Sequence, residues 1–302
     1  MPSLVSAFVR SQIGLINPLL KSLNLEQYRK LQDSIATVGK RPLSFFVHYK
    51  PVSFPCFDAA WAIPLKGRVN RAALYLHGGA YTAGTLPYAK RYGGEIAKLT
   101  GRATLCVGYR LAPEHPFPAA LDDALAAYEH MLQRYSPEQV AFVGESAGGG
   151  LCYALSLLLK QKELPQPEKI VAISPWTDLT MTWEDPDTQA RDKLLDKDAL
   201  LESARMYASN ASLTEPLISP LYGDLAGLPP SLMFAGSDEI LRDDAVRMDE
   251  KLRAAGCASE LHIEQGMWHV YVLYGVPEAK EALRQIQAYL DCDMEWTDGP
   301  EE

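Results

Sequence analysis

Apolar positions along this chain fall into two alternating kinds of run. Short, nearly continuous apolar stretches recur at residues 72–76, 103–109, 139–143, 169–174, 231–235 and 258–263. Most of them lead straight into glycine, proline or polar turn residues, as strands buried on both faces do. Between them, apolar residues return at helical spacing over residues 90–99, 118–134, 151–159 and 277–290, and a further helix is expected between 238 and about 255. Pro118 suits the first turn of its helix, where a missing N–H costs nothing. Residues 52–63 also read as strand, and Pro51, Pro55 and Pro64 mark edge positions. Strands alternating with helices predict an α/β fold, with a mostly parallel central sheet flanked by helices on both faces.

Two regions break the alternation. Residues 1–45 look helical and precede the first strand. Asn24 and Gln27 form a capping box, followed by Leu25, Tyr28, Leu31 and Ile35 at helical spacing. Residues 176–227 carry no strand signal and show helical spacing only around 197–207. Both are candidates for a helical cap above the strand ends, a helix pair packed on the sheet edge being the plainer alternative for the first. Trp176, Met181, Trp183, Met206, Tyr207 and Tyr222 are candidate pocket residues, although core packing is the simpler role for each. The expected organisation is N-terminal cap helices (1–45), core (46–175), cap insertion with partial core connection (176–227), core (228–290) and an acidic, disordered tail (291–302).

Composition narrows the functional classes. The 302 residues, 47% hydrophobic and 22% charged, are ordinary for a soluble globular chain with a sizeable core. No run of eighteen apolar residues suggests a membrane span. Residues 1–16 are apolar along one face without a basic leading stretch, so an amphipathic helix packed on the domain is expected rather than a signal peptide. The five cysteines are scattered, with no Cys-x-x-Cys, which argues against a disulfide framework or zinc site and for a reducing cytoplasm. Net charge is −9, and the six acids of the tail account for all but −3 of it. A nucleic-acid partner therefore has no electrostatic support.

Gly144-Glu145-Ser146-Ala147-Gly148 follows one of the apolar runs and opens a helical segment. Small residues let such a strand-turn-helix junction close tightly and leave Ser146 exposed at its apex. A protonated serine is a poor nucleophile, so the chain must supply a base, an acid and donors for an oxyanion. His269 lies after the last strand. Histidine, with an unperturbed pKa of about 6.5, can take a proton near neutral pH and return it. His77, in a loop before two glycines, and His115, in a Pro-rich loop, read as structural. Asp238 stands at a strand end and is expected to orient the imidazole, ahead of Asp243 and Asp244 in the next helix. Glu145, beside the nucleophile, reads as a structural contact under the turn. Gly78, Gly79 and Ala147 are the expected oxyanion-hole donors. The order Ser…Asp…His is that of α/β-hydrolases.

The ordered set His77-Gly78-Gly79-Ala80, residues 109–118, residues 144–149, Asp238 with Leu241 and Asp243, and Gly266-Met267-Trp268-His269 resembles the hormone-sensitive-lipase family of α/β-hydrolases, over residues 72–290. The resemblance implies an α/β-hydrolase fold with a helical cap. It implies hydrolysis of short- to medium-chain carboxylic esters, a small-molecule substrate class, through a covalent acyl-enzyme, with no metal or cofactor. It leaves a homodimer through an edge strand open as an assembly. Lactones share the chemistry of open esters and stay open as alternative substrates. A catalytically weak receptor on the same fold is disfavoured by His269. Two positions depart from the family: Ala80 replaces a third glycine, and Glu145 stands where Asp or Thr is usual.

Overall fold

The computed structural model describes residues 2–21, 23–37, 43–67, 70–182 and 186–291. Trp183 and residues 292–302, nearly all of the acidic tail, lie outside the described residues. Eight strands form one sheet: β1 (Val47–Ser53), β2 (Asp58–Pro64), β3 (Ala72–Leu76), β4 (Ala103–Gly108), β5 (Val140–Glu145), β6 (Lys169–Ile173), β7 (Ser231–Gly236) and β8 (Ser259–Glu264). Their spatial order is β1-β2-β4-β3-β5-β6-β7-β8. Pairings from β4 to β8 are parallel, and β1 and β2 add two antiparallel pairings at one edge. The proline-marked strand is a hairpin-like pair, and Pro51 and Pro64 sit on it where missing amides are tolerated.

The continuous apolar runs are explained by helices on both sides. Along β3, Ala72, Leu74 and Leu76 face one core while Ala73 and Tyr75 face the other; along β5, Val140 and Phe142 oppose Ala141 and Val143. Helices α4 (Ala119–Leu132), α5 (Ala147–Gln161) and α8 (Arg242–Ala254) cover the first face, and α3 (Leu86–Thr100) and α9 (Pro277–Asp291) the second. α5 is buried from Ala147 to Leu159, so this helix is apolar all round. Among the described residues no helix is long and apolar enough to cross a membrane.

The two regions that break the alternation fold as helices. α1 (Leu4–Lys21) and α2 (Leu25–Thr37) precede the sheet, and α6 (Pro186–Arg191) and α7 (Lys197–Ala208) lie between β6 and β7. The capping box at the start of α2 is formed: Gln27 N–H donates to Asn24 Oδ1 (2.9 Å) and Asn24 N–H to Gln27 Oε1 (3.1 Å). Of the candidate pocket residues, Met206 lines a cavity above the strand ends. Trp176, Met181 and Tyr207 are core residues instead.

Candidate active site

The turn between β5 and α5 puts Ser146 at φ 55°, ψ −125°, outside the regions an L-residue prefers. The strain is held on both sides of the residue. Ser146 N–H donates to Ile173 O (2.9 Å), and its carbonyl accepts from Gly150 N–H (3.1 Å) and Trp176 N–H (3.0 Å). Gly148 lets α5 start against the neighbouring strand, since a Cβ there would run into the carbonyls of Leu76 and His77. Ser146 therefore sits beyond the sheet's carboxyl edge, where loops from several strands converge.

His269 meets it. Its Nε2 lies 3.0 Å from Ser146 Oγ, and its Nδ1 lies 2.6 Å from Glu239 Oε2. With a proton on Nδ1 donated to Glu239, Nε2 is left to accept the serine hydroxyl. Ser146, His269 and Glu239 are 7%, 5% and 0% exposed, so the relay is screened from bulk water. The carboxylate that faces His269 is therefore Glu239, one residue beyond the Asp238 expected there. At the end of β7 the side chains of Asp238 and Glu239 diverge. Asp238 turns outward, with its Oδ2 2.5 Å from Arg10 Nη1 and its Oδ1 3.8 Å from Arg191 Nε. Glu239 turns inward, and its Oε1 accepts from Gly236 N–H (2.7 Å) and Ser174 Oγ–H (2.8 Å). Asp243 pairs with Arg242, and Asp244 accepts the N–H groups of Thr177 and Asp178 under the insertion.

Ser174 is a supporting residue that its sequence context does not announce. Besides holding Glu239 it accepts Val270 N–H (3.0 Å), so one hydroxyl ties the acid to the residue after the histidine. It stands at φ 49°, directly after β6.

The oxyanion loop differs from expectation at one position. Gly78 N–H donates to Glu145 Oε1 (2.7 Å), which removes it from the candidate donors. Gly79 and Ala80 follow at φ 113° and 53° and line the same cavity as Ser146 and His269. Among the described residues no protein acceptor takes the N–H of Gly79, Ala80 or Ala147. Ala80 is thus a candidate donor beside Gly79 and Ala147, in place of Gly78. Glu145 is buried and also accepts from Tyr75 OH (2.6 Å). Burial pushes its carboxyl up to about 7, against those two hydrogen bonds. His77 is buried and stacked on Tyr109 at 4.1 Å, and its Nδ1 lies 2.7 Å from Gly78 O. Burial pulls it down to about 4, which keeps it neutral as a donor that braces the loop. His115 is exposed.

A cavity of about 510 Å³ opens over these groups. Its floor is the Gly78–Ala80 loop with Ser146 and His269. Its walls come from α2 (Leu25, Tyr28) and α7 (Leu200, Met206), so both irregular regions reach the space over Ser146 and His269. Among the described residues no group of acids, histidines and cysteines could hold a metal ion.

The sequence profile of a family described as having the alpha/beta hydrolase fold matches residues 73–273. The chain is 37% identical over 236 residues to an acetyl-hydrolase of Streptomyces hygroscopicus, covering 77% of this chain and 79% of that protein. It is 36% identical over 239 residues to an esterase of Acinetobacter venetianus, covering 76% and 79%. Among solved structures, a hormone-sensitive lipase from a metagenome library superposes with a TM-score of 0.86 at 33% identity, over 93% of this chain and 96% of that one. A relay of serine, histidine and carboxylate on this sheet, with matches of this extent, places the chain in the α/β-hydrolase superfamily, as a member of its hormone-sensitive-lipase family.

Proposed function

We propose that this protein is a serine carboxylesterase acting on short- to medium-chain carboxylic esters, with Ser146 as nucleophile, His269 as base and Glu239 as the orienting acid. The observation that carries the reading is the continuous line from Ser146 Oγ through His269 to Glu239 at 3.0 and 2.6 Å. Ser146 Oγ attacks the ester carbonyl carbon while its proton passes to His269 Nε2. Glu239 fixes the ring's tautomer and steadies the imidazolium. The carbonyl oxygen, now anionic, accepts from the amides of Gly79, Ala80 and Ala147, each such donor being worth ~3–4 kcal/mol in the transition state. Collapse expels the alkoxide, which takes the proton from Nε2 and leaves an acyl-serine. Water then repeats the sequence and frees the acid. Glu145 holds the oxyanion loop in place through Gly78.

Helices α1, α2, α6 and α7 act as the cap, with the core on either side of the insertion, and their apolar wall over a 510 Å³ cavity supports modest acyl chains. The acetyl-hydrolase similarity points the same way. The described cysteines, Cys56, Cys106, Cys152 and Cys257, are all free thiols, which supports a reducing, cytoplasmic setting. β8 ends the sheet with half-exposed side chains and is the edge along which we place a homodimer. The decisive experiment is turnover of p-nitrophenyl acetate and butyrate by the purified protein and its Ser146→Ala variant. The variant should lose activity by at least a thousandfold with its fold intact; retained turnover would sink the assignment.

A further inference from the structure

Asp238, displaced from the relay, occupies a junction. Arg10, near the middle of α1, places Nη1 2.5 Å from Asp238 Oδ2 and donates it to Gly266 O (3.3 Å). Its Nη2 donates to Arg191 O (3.1 Å), at the end of α6. One guanidinium therefore grips the residue before the acid, the turn that leads to the base, and the insertion. A planar fork with five N–H donors is suited to three acceptors at once, and a lysine is not. On the other side of the acid, Ile240 N–H donates to Asp192 Oδ2 (2.9 Å). The Oδ1 of Asp192 accepts from Leu194 and Leu195 N–H (2.8 and 2.9 Å). Glu239 is thus bracketed by two contacts from outside the sheet, and neither is made by the core that carries the nucleophile. α1 is seated near its start as well, with Ser3 N–H donating to Glu278 Oε1 (2.6 Å).

We infer that Arg10 is a positioning residue for the reaction: through Asp238 and Gly266 it sets the two loops that carry Glu239 and His269, so docking of the N-terminal helix and alignment of the relay are one event. The inference rests on the esterase reading above. Arg10 and Asp238 do not line the cavity over Ser146, so they contribute nothing direct to holding substrate. Loosening them moves the carboxylate relative to the imidazole, and small misplacements of a base cost far more in the chemical step than in binding. With the substrate contacts untouched, kcat carries the loss and KM does not.

The test is steady-state kinetics on p-nitrophenyl acetate and butyrate with Arg10→Ala, Arg10→Lys, Asp238→Asn and the Arg10→Ala/Asp238→Asn double variant of the full chain, each checked by circular dichroism. Arg10→Ala and Asp238→Asn should each lower kcat about tenfold with KM within twofold of the parent. The double variant should lose less than the product of the two single losses, because the two residues share one ion pair. Arg10→Lys should recover part of the loss by keeping the charge on Asp238. Unchanged kcat in both singles overturns the inference. So does a raised KM at constant kcat, which would make Arg10 a mere seat for the cap, and so does additive loss in the double variant. If Arg10→Ala fails to fold, Asp238→Asn and Arg10→Lys decide by the same criteria. Ser146→Ala separates the two claims: its inactivity upholds the esterase reading whatever Arg10 does, and its activity removes that reading first.

Discussion

Glu145 makes a measurable statement about stability and pH. Its carboxyl is fully buried, takes hydrogen bonds from Gly78 N–H and Tyr75 OH, and titrates at about 7 instead of 4.5 because burial disfavours the charged form more than the two donors favour it. A group whose pKa is raised by folding gives stability that is complete below its unfolded value and is lost as pH climbs through its folded value. From pH 4.5 to about 7 the folded chain holds a proton that the unfolded chain has released, so stability falls as pH rises and then levels off. A rise from 4.5 to about 7, at about 1.4 kcal/mol per unit, corresponds to roughly 3.5 kcal/mol over the full titration. Glu145→Gln removes the titration and keeps an oxygen acceptor for Gly78. Urea unfolding followed by tryptophan fluorescence at pH 5, 6, 7 and 8 should show the parent losing about 2–3 kcal/mol relative to the variant across that window. Asp244, raised by burial to about 8, titrates in both proteins and cancels from the difference. Parallel stability curves for parent and variant, or a parent that gains on the variant as pH rises, would refute the argument.

Other predictions address the relay. Glu239→Gln should lower kcat by ~10³–10⁴, since the wrong tautomer then faces the serine, whereas Asp238→Asn should cost about tenfold; steady-state kinetics on p-nitrophenyl butyrate ranks the two, and the reverse order would restore Asp238 as the acid. Ser174→Ala removes a donor to Glu239 and the acceptor of Val270 N–H, and should lower kcat ~10-fold, as expected for about 1.4 kcal/mol of lost alignment. An unchanged kcat in that variant, with soluble folded protein, would show that the hydroxyl is dispensable.

Much of this was legible in sequence because it is local. Runs apolar on both faces specify parallel strands without any knowledge of their partners, and Ser146 and His269 follow from where those runs end. Which carboxylate meets His269 was not local. Asp238 and Glu239 are adjacent carboxylates in the turn after β7, where no strand alternation fixes which side each leaves on. Only the distant partners, Arg10 and Arg191 outside and His269 and Ser174 inside, decide which goes where. The same holds for Gly78 and Ala80. The donor nearest the strand looks as suitable as its neighbours until Glu145, 67 residues later, is seen to take it. Ser174 and Arg10 matter through contacts spanning 65 to 256 residues, which no spacing rule encodes.

The burial of α5 along nearly its whole length has a consequence for how this protein can change. Its residues from Ala147 to Leu159 touch protein on every side, so a substitution there disturbs packing in several directions at once. The helices that wall the cavity are different: the described side chains of α2 are half-buried or exposed, and α7 alternates between buried and exposed positions, so a new side chain at their outer positions meets solvent or the cavity before it meets core. Tolerance to mutation is thus expected to divide spatially, with Ser146 anchored on the most tightly packed helix and the cavity wall carried by more open ones. A library confined to Tyr28 and Met206, which line the cavity without being fully buried, should change ester preference while leaving turnover of p-nitrophenyl acetate in place.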